Sequence, residues 1–131
     1  MKAMYRILDV KNGQPHTLFH AVNGSRRLSL SQWLDAEVKM GQDGSGQKKR
    51  YRTGFHVVSN RPAAIDFLYR MFRHKSPRVI CKVLVDECGG TWPKARSRHN
   101  ITLVKRMKIT PWAWAAAKRL HKQDIEYKVV A

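Results

Sequence analysis

The residues of this chain whose types and spacing could do chemistry are few. They are a histidine beside a strand glycine (Gly54-Phe55-His56), one adjacent carboxylate pair (Asp86-Glu87) and several clusters of cations. His56 is the best lone candidate for a general base or a phosphate ligand, because a glycine within a strand lets a ligand come close to the backbone. The commoner role of such a histidine is a structural one. Asp86-Glu87 has no histidine near it in sequence, and a lone pair of this kind is usually surface. The sequence carries no nucleophile elbow, no phosphate-cradling loop ending in Gly-Lys-Ser/Thr and no His-Glu-x-x-His. A protein that is not an enzyme, with no cofactor and no metal, is therefore expected. Cys81 and Cys88 lack two further ligands at zinc spacing and read as free thiols.

The cations are more informative. Lys48, Lys49, Arg50 and Arg52 surround Tyr51 next to a glycine-rich loop. They could follow a phosphate backbone while Tyr51 stacks on a base, or they could be a solvated loop. Lys94, Arg96, Arg98 and His99 follow Trp92, a combination suited to single-stranded nucleic acid. The alternative is that Trp92-Pro93 plugs the end of a sheet. A third group, Arg61, Arg70, Arg73, His74, Lys75 and Arg78, gathers around the end of a helix, where the macrodipole accounts for about two of them. Lys105 and Arg106 add to these, and Lys118, Arg119, His121 and Lys122 repeat the pattern on a second helix.

The charge is lopsided as well as large. Residues 1–47 carry six Lys/Arg and four Asp/Glu, whereas residues 48–131 carry twenty and five, so fifteen of the seventeen net positive charges lie in the second stretch. Such a surface attracts polyanions over about 8 Å, the Debye length at physiological salt. A hydrophobic content of 43%, with four Trp and four Phe, excludes a disordered basic tail. No apolar run approaches the roughly 20 residues of a membrane span, and the N-terminus lacks the apolar core of a signal peptide. No membrane association and a cytoplasmic location are expected.

The elements that must position these residues fit a single basic α+β domain over residues 1–131, a mixed or antiparallel sheet with two helices. Residues 3–10 and 16–22 are strand-like, with Asn12-Gly13 as the hairpin turn and Asn23-Gly24 turning the chain again before Arg26–Leu30. Ser31 could cap a short helix over 32–37, although an extended conformation is equally consistent there. Residues 41–47 form a glycine-rich loop, and 51–58 a strand interrupted at Gly54. Asn60 caps a helix over about 61–74, with Ile65, Leu68 and Phe72 as its buried face. Residues 78–87 form a central strand, 88–100 a loop and 101–109 a last long strand. Thr110-Pro111 opens a second helix over about 111–123, with Ala113, Ala116, Ala117 and Leu120 on one face. Residues 125–130 suggest an edge strand.

One ordered set of motifs carries a resemblance. It runs Leu18-Phe19, Trp33-Leu34 with Ala36-Glu37, Tyr51-Arg52-x-Gly54-Phe55-His56, Val79–Val85, Trp92 and Lys105-Arg106-Met107-Lys108-Ile109. In this order it resembles short, mostly uncharacterised proteins encoded by bacteriophages and prophages. The family has less between the Gly-Phe-His strand and the next, where this chain has an arginine-bearing helix. The resemblance brings no catalytic residues. It implies a small phage accessory protein in the bacterial cytoplasm, of a kind that often inhibits host machinery, including nucleic-acid-guided defence.

Three functions follow as expectations. The first is a non-enzymatic domain that binds nucleic acid or a nucleoprotein complex through a basic face. The second is an inhibitor that docks on an acidic patch of a host protein, in the manner of an anti-CRISPR. The third is a pocket for a phosphorylated ligand or nucleotide around His56.

Overall fold

A computed structural model describes residues 1–17, 26–36, 38, 40–42, 50–70, 78–93 and 101–130; at 41–42, 50–52, 69–70 and 122–130 the backbone alone is described. The fold is α+β, as expected, and every strand pairing described is antiparallel. Strands β1 (Lys2–Lys11) and β2 (Gln14–His16) form a hairpin closed by Asn12 and Gly13, whose φ values of 52° and 75° are those of a type I′ turn. Strand β2 thus begins before the expected 16–22 segment, of which residues 18–22, with the Asn23-Gly24 turn, lie outside the described residues. Trp33–Asp35 is extended, as β3, which settles the helix-or-strand alternative there.

Strands β4 (Met40–Gln42) and β5 (Arg50–Arg52) make a separate ribbon, followed after Thr53-Gly54 by β6 (Phe55–Val57). The expected 51–58 strand is therefore two strands with different partners. The chain continues with helix α1 (Arg61–Arg70), β7 (Arg78–Val85), a 3-10 turn at Glu87–Gly89, β8 (Thr91–Pro93), β9 (Thr102–Val104), β10 (Arg106–Lys108) and helix α2 (Pro111–Val130). Residues 71–77, including Phe72 and the expected end of the first helix, lie outside the described residues. Both expected caps form: Asn60 Oδ1 accepts from the Ala63 amide at 2.9 Å, and Thr110 Oγ1 from that of Ala113 at 3.3 Å.

Three expectations near the C-terminal half are corrected, the first being the 88–100 loop, which holds strand β8 because Thr91–Pro93 pair with β9. The 101–109 strand bends at Lys105 into β9 and β10, which join different sheets. Residues 125–130 continue α2 instead of forming an edge strand. No Gly or Pro interrupts 112–130, and extending an existing helix needs no new nucleus, so the β-branched Ile125, Val129 and Val130 do not stop it.

A five-stranded sheet has the order β2-β1-β7-β10-β3, and a three-stranded sheet the order β6-β9-β8. They meet at both edges. At Lys105 the backbone N–H donates to Gly90 O (3.2 Å), while the carbonyl accepts from Ala36 N (2.7 Å), so one bend residue bonds toward each sheet. At the other edge, Tyr5 and Val58 exchange backbone hydrogen bonds of 2.9 and 2.8 Å. Strands β1, β7, β10–β9 and β6 therefore close a ring. Its interior holds Met4, Leu8, Val79, Cys81, Val83, Val85, Phe55, Val57 and Val104, with Trp114 and Ala117 of α2 packed against the same cluster. Trp114, not Ala116, is the centre of the buried α2 face, and its Nε1–H donates to Gly13 O at 3.0 Å. On the other face of β1–β7, Ile7 and Ile80 pack against Ala64, Ile65 and Leu68 of α1.

Candidate nucleic-acid interface

Register assembles a site that sequence order does not suggest. In the three-stranded sheet His56 lies opposite Leu103, and Leu103 opposite Trp92. Directly opposed residues project from the same face, so the three form one row across about 10 Å of sheet. The alternate residues Phe55, Val57 and Val104 point inward and are buried. On the outer face, Leu103 is buried to 1% exposure, while His56 and Trp92 on either side of it are half-buried.

Gly54 explains how Trp92 lies. A side chain at residue 54 would meet Val104 O at 3.0 Å and the Trp92 ring at 3.2 Å, and one at Gly90 would meet the same ring at 3.4 Å. Glycine was expected to admit a ligand at this point; what it admits is the indole. The ring is thus wedged between two bare backbone positions, which fixes it without the entropy of a mobile side chain. Both roles foreseen for Trp92, sheet plug and stacking surface, are compatible with this placement.

The ends of this sheet are where the chain becomes basic. The β5 segment Arg50-Tyr51-Arg52 ends two residues before β6, Lys105 follows β9, and Lys94, Arg96 and Arg98 follow β8 in sequence. Lys105 is exposed. Arg70 ends α1, on an element that packs against β7 and β1. Lys48, Lys49, Arg73, Lys94, Arg96 and Arg98 lie outside the described residues, and for Arg50, Tyr51, Arg52 and Arg70 only the backbone is described.

Two expected surface cations are otherwise engaged. Arg106 Nε lies 3.0 Å from Asp35 Oδ1, and its Nη1 donates to Asp86 Oδ2 at 3.4 Å, while the guanidinium stands over the Trp33 ring at 5.5 Å. Two carboxylates already meet its charge. Arg78 was grouped with the cations at the end of the first helix, but it is buried at 5% exposure and pairs with buried Asp9 at 3.1 Å. Its strand position places it under α1, inside the molecule.

Three features escaped sequence reading. Trp112 is 74% exposed on the first turn of α2. The signal was present, because tryptophans two apart on a helix face opposite ways, so burying Trp114 exposes Trp112. Arg6 is buried inside the ring. Its Nη1 donates to His56 O at 3.0 Å, and its guanidinium stands over the Phe55 ring at 5.2 Å. Burial lowers its pKa to about 10. Nothing in the sequence marks it, since it occupies one inward position among Met4 and Leu8. Third, Asp86 is structural: it caps the 3-10 turn by accepting from Cys88 N at 3.0 Å and also holds Arg106.

Cys81 is buried and Cys88 exposed, both as free thiols. Among the described residues no group of three His, Cys, Asp or Glu could hold a metal ion, and no helix is long and apolar enough to cross a membrane. No protein-family model, curated protein or solved structure matches this chain.

Proposed function

We propose that this protein is a small accessory protein of bacteriophage type that binds nucleic acid, free or in a nucleoprotein complex, in the bacterial cytoplasm. The observation that carries this reading is the His56–Leu103–Trp92 row, on a sheet whose strands are continued in sequence by basic residues. In this reading Trp92 or Tyr51 stacks on bases, and Arg50, Arg52, Lys105 and the residues Lys94, Arg96 and Arg98 contact phosphates. His56 is a partner for base or phosphate at the far end of the row, which absorbs the nucleotide-pocket reading into the same surface. Fluorescence anisotropy with labelled single- and double-stranded DNA and RNA at several salt concentrations tests it. If about six phosphates are neutralised, log K falls with log salt at a slope of about −5. Reversing the charge at Arg96 and Arg98 together abolishes binding without unfolding the domain; unchanged binding in that variant refutes the proposed face.

A second reading, a protein-directed inhibitor of a host defence complex, is favoured by Trp112. Exposed tryptophans anchor protein interfaces, and the basic surface suits an acidic partner. A stoichiometric host protein retained from nuclease-treated lysate by the parent, and lost with Trp112→Ala, supports this reading over the first.

A further inference from the structure

At one end of the ring, where the start of β1 and the end of β7 face β8 and β9, lies a cavity of about 290 Å³. Buried Met4 and Val85 line it, together with Lys2, Ser59, Glu87 and Thr102. Its size is close to the ~300 Å³ lower limit of small-molecule sites, enough for one base with its sugar outside.

Glu87 is unusual within this molecule. Among the described carboxylates, Asp9 meets Arg78, Asp35 and Asp86 meet Arg106, and Asp66 also has a partner. Glu87 is exposed and, among the described residues, makes no ion pair or side-chain hydrogen bond, in a chain with 26 Lys/Arg to 9 Asp/Glu. Lys2 lines the same cavity without pairing with it. A carboxylate left unpaired among so many cations is available to a ligand that donates hydrogen bonds. It would repel a phosphate, so any nucleotide enters base first. Pro93, on the cavity wall, is followed in sequence by Lys94, Arg96 and Arg98.

We infer that this cavity takes an unstacked guanine of a single-stranded nucleic acid, an inference that rests on the nucleic-acid reading above. Guanine presents two neighbouring donors, N1–H and N2–H, that match the two oxygens of one carboxylate. Adenine and cytosine present an amino group beside a ring acceptor, which would face the second oxygen. Uracil and thymine present one N–H flanked by two carbonyls. The hydroxyls of Ser59 and Thr102 and the Lys2 ammonium supply donors for guanine O6 and N7, and Met4 and Val85 supply the apolar floor.

The test is anisotropy with short labelled oligothymidine and oligouridine, each also made with a single central guanine, adenine or cytosine, against the parent protein and Glu87→Gln. The guanine-containing strand binds about tenfold or more tighter than the others, and Glu87→Gln brings that ratio to about one. Binding of the parent to all strands with equal affinity overturns the guanine cavity and leaves the nucleic-acid reading standing. A guanine preference that survives Glu87→Gln overturns the assignment to this cavity. Failure to bind any strand near physiological salt overturns the nucleic-acid reading and the cavity's ligand with it.

Discussion

Replacing Arg6 by Met should leave stability nearly unchanged, although it deletes a buried charge, a hydrogen bond and a cation–π contact. Arg6 is 9% exposed and has no acidic partner among the described residues. Burial takes its pKa down to about 10, which corresponds to a penalty of about 3 kcal/mol for carrying the charge at neutral pH. Against this stand a charged hydrogen bond to His56 O, worth roughly 1.5–3 kcal/mol, and the Phe55 contact, worth about 1–2. The two sides nearly cancel. Methionine keeps the apolar stem and loses both the penalty and the contacts, so the net change should lie within about 2 kcal/mol of zero. Arg6→Ala removes the stem as well and leaves a cavity among Met4, Leu8 and Phe55, so it should cost about 2–4 kcal/mol.

Urea unfolding followed by tryptophan fluorescence measures both variants. The difference between Arg6→Met and the parent should be flat between about pH 6 and 9, because the guanidinium is charged in both folded and unfolded chains there. Above about pH 10 the folded parent releases its proton before the unfolded chain does, the penalty fades, and the difference moves in the parent's favour. A loss of more than about 4 kcal/mol with Met at neutral pH would refute the reasoning. It would mean that Arg6 meets a counter-charge and is held as half of a buried ion pair.

The Asp9–Arg78 pair should behave in the opposite way: Asp9→Asn alone removes the carboxylate that faces a buried guanidinium and should cost about 3–5 kcal/mol, while Asp9→Leu with Arg78→Met should recover most of it. Chemical denaturation of the single and double variants checks this. With Ellman's reagent near pH 8, Cys88 should react at once. Cys81, buried and with its pKa raised to about 12, should react only when the ring opens, at a rate that rises with denaturant. Trp112→Ala should change stability by less than about 0.5 kcal/mol, whereas Trp114→Ala should cost about 3–5, read from thermal midpoints. Gly54→Ala should crowd the Val104 carbonyl and push the Trp92 ring aside by a few tenths of an ångström, costing about 1–3 kcal/mol, read from the urea midpoint.

What the sequence made legible was local. The Asn12-Gly13 turn, the Asn60 and Thr110 caps and the β-branched run of β7 each depend on a few neighbouring residues, and each stands where expected. What it did not show was where strands change partners. Residues 101–109 alternate apolar and polar except at Val104-Lys105, a break that coincides with the bend but does not say which sheet each half joins. The bend at Lys105 is set by Gly90 and Ala36, two distant backbone partners that no periodicity records. In α2 the difference is of another kind: β-propensity in 125–130 is a residue-by-residue quantity, whereas a helix already formed is extended cooperatively.

The candidate site divides along the same line. Its cations were legible because charge is a property of composition, and the segments that hold them needed no topology to be noticed. Its row was not, because His56 and Trp92 are separated by 36 positions and meet only through Leu103, which looked like an ordinary core residue. The same register that builds the row also turns Phe55 and Val104 inward, where Phe55 receives Arg6. The Arg6 hydrogen bond ends on the carbonyl of His56 itself. The buried guanidinium therefore braces the strand that presents the row, and a variant that loosens it should weaken binding at the surface before it unfolds the domain. Arg6→Met, which removes the hydrogen bond to His56 O while leaving stability nearly unchanged, separates the two effects: nucleic-acid affinity should fall while the urea midpoint moves little.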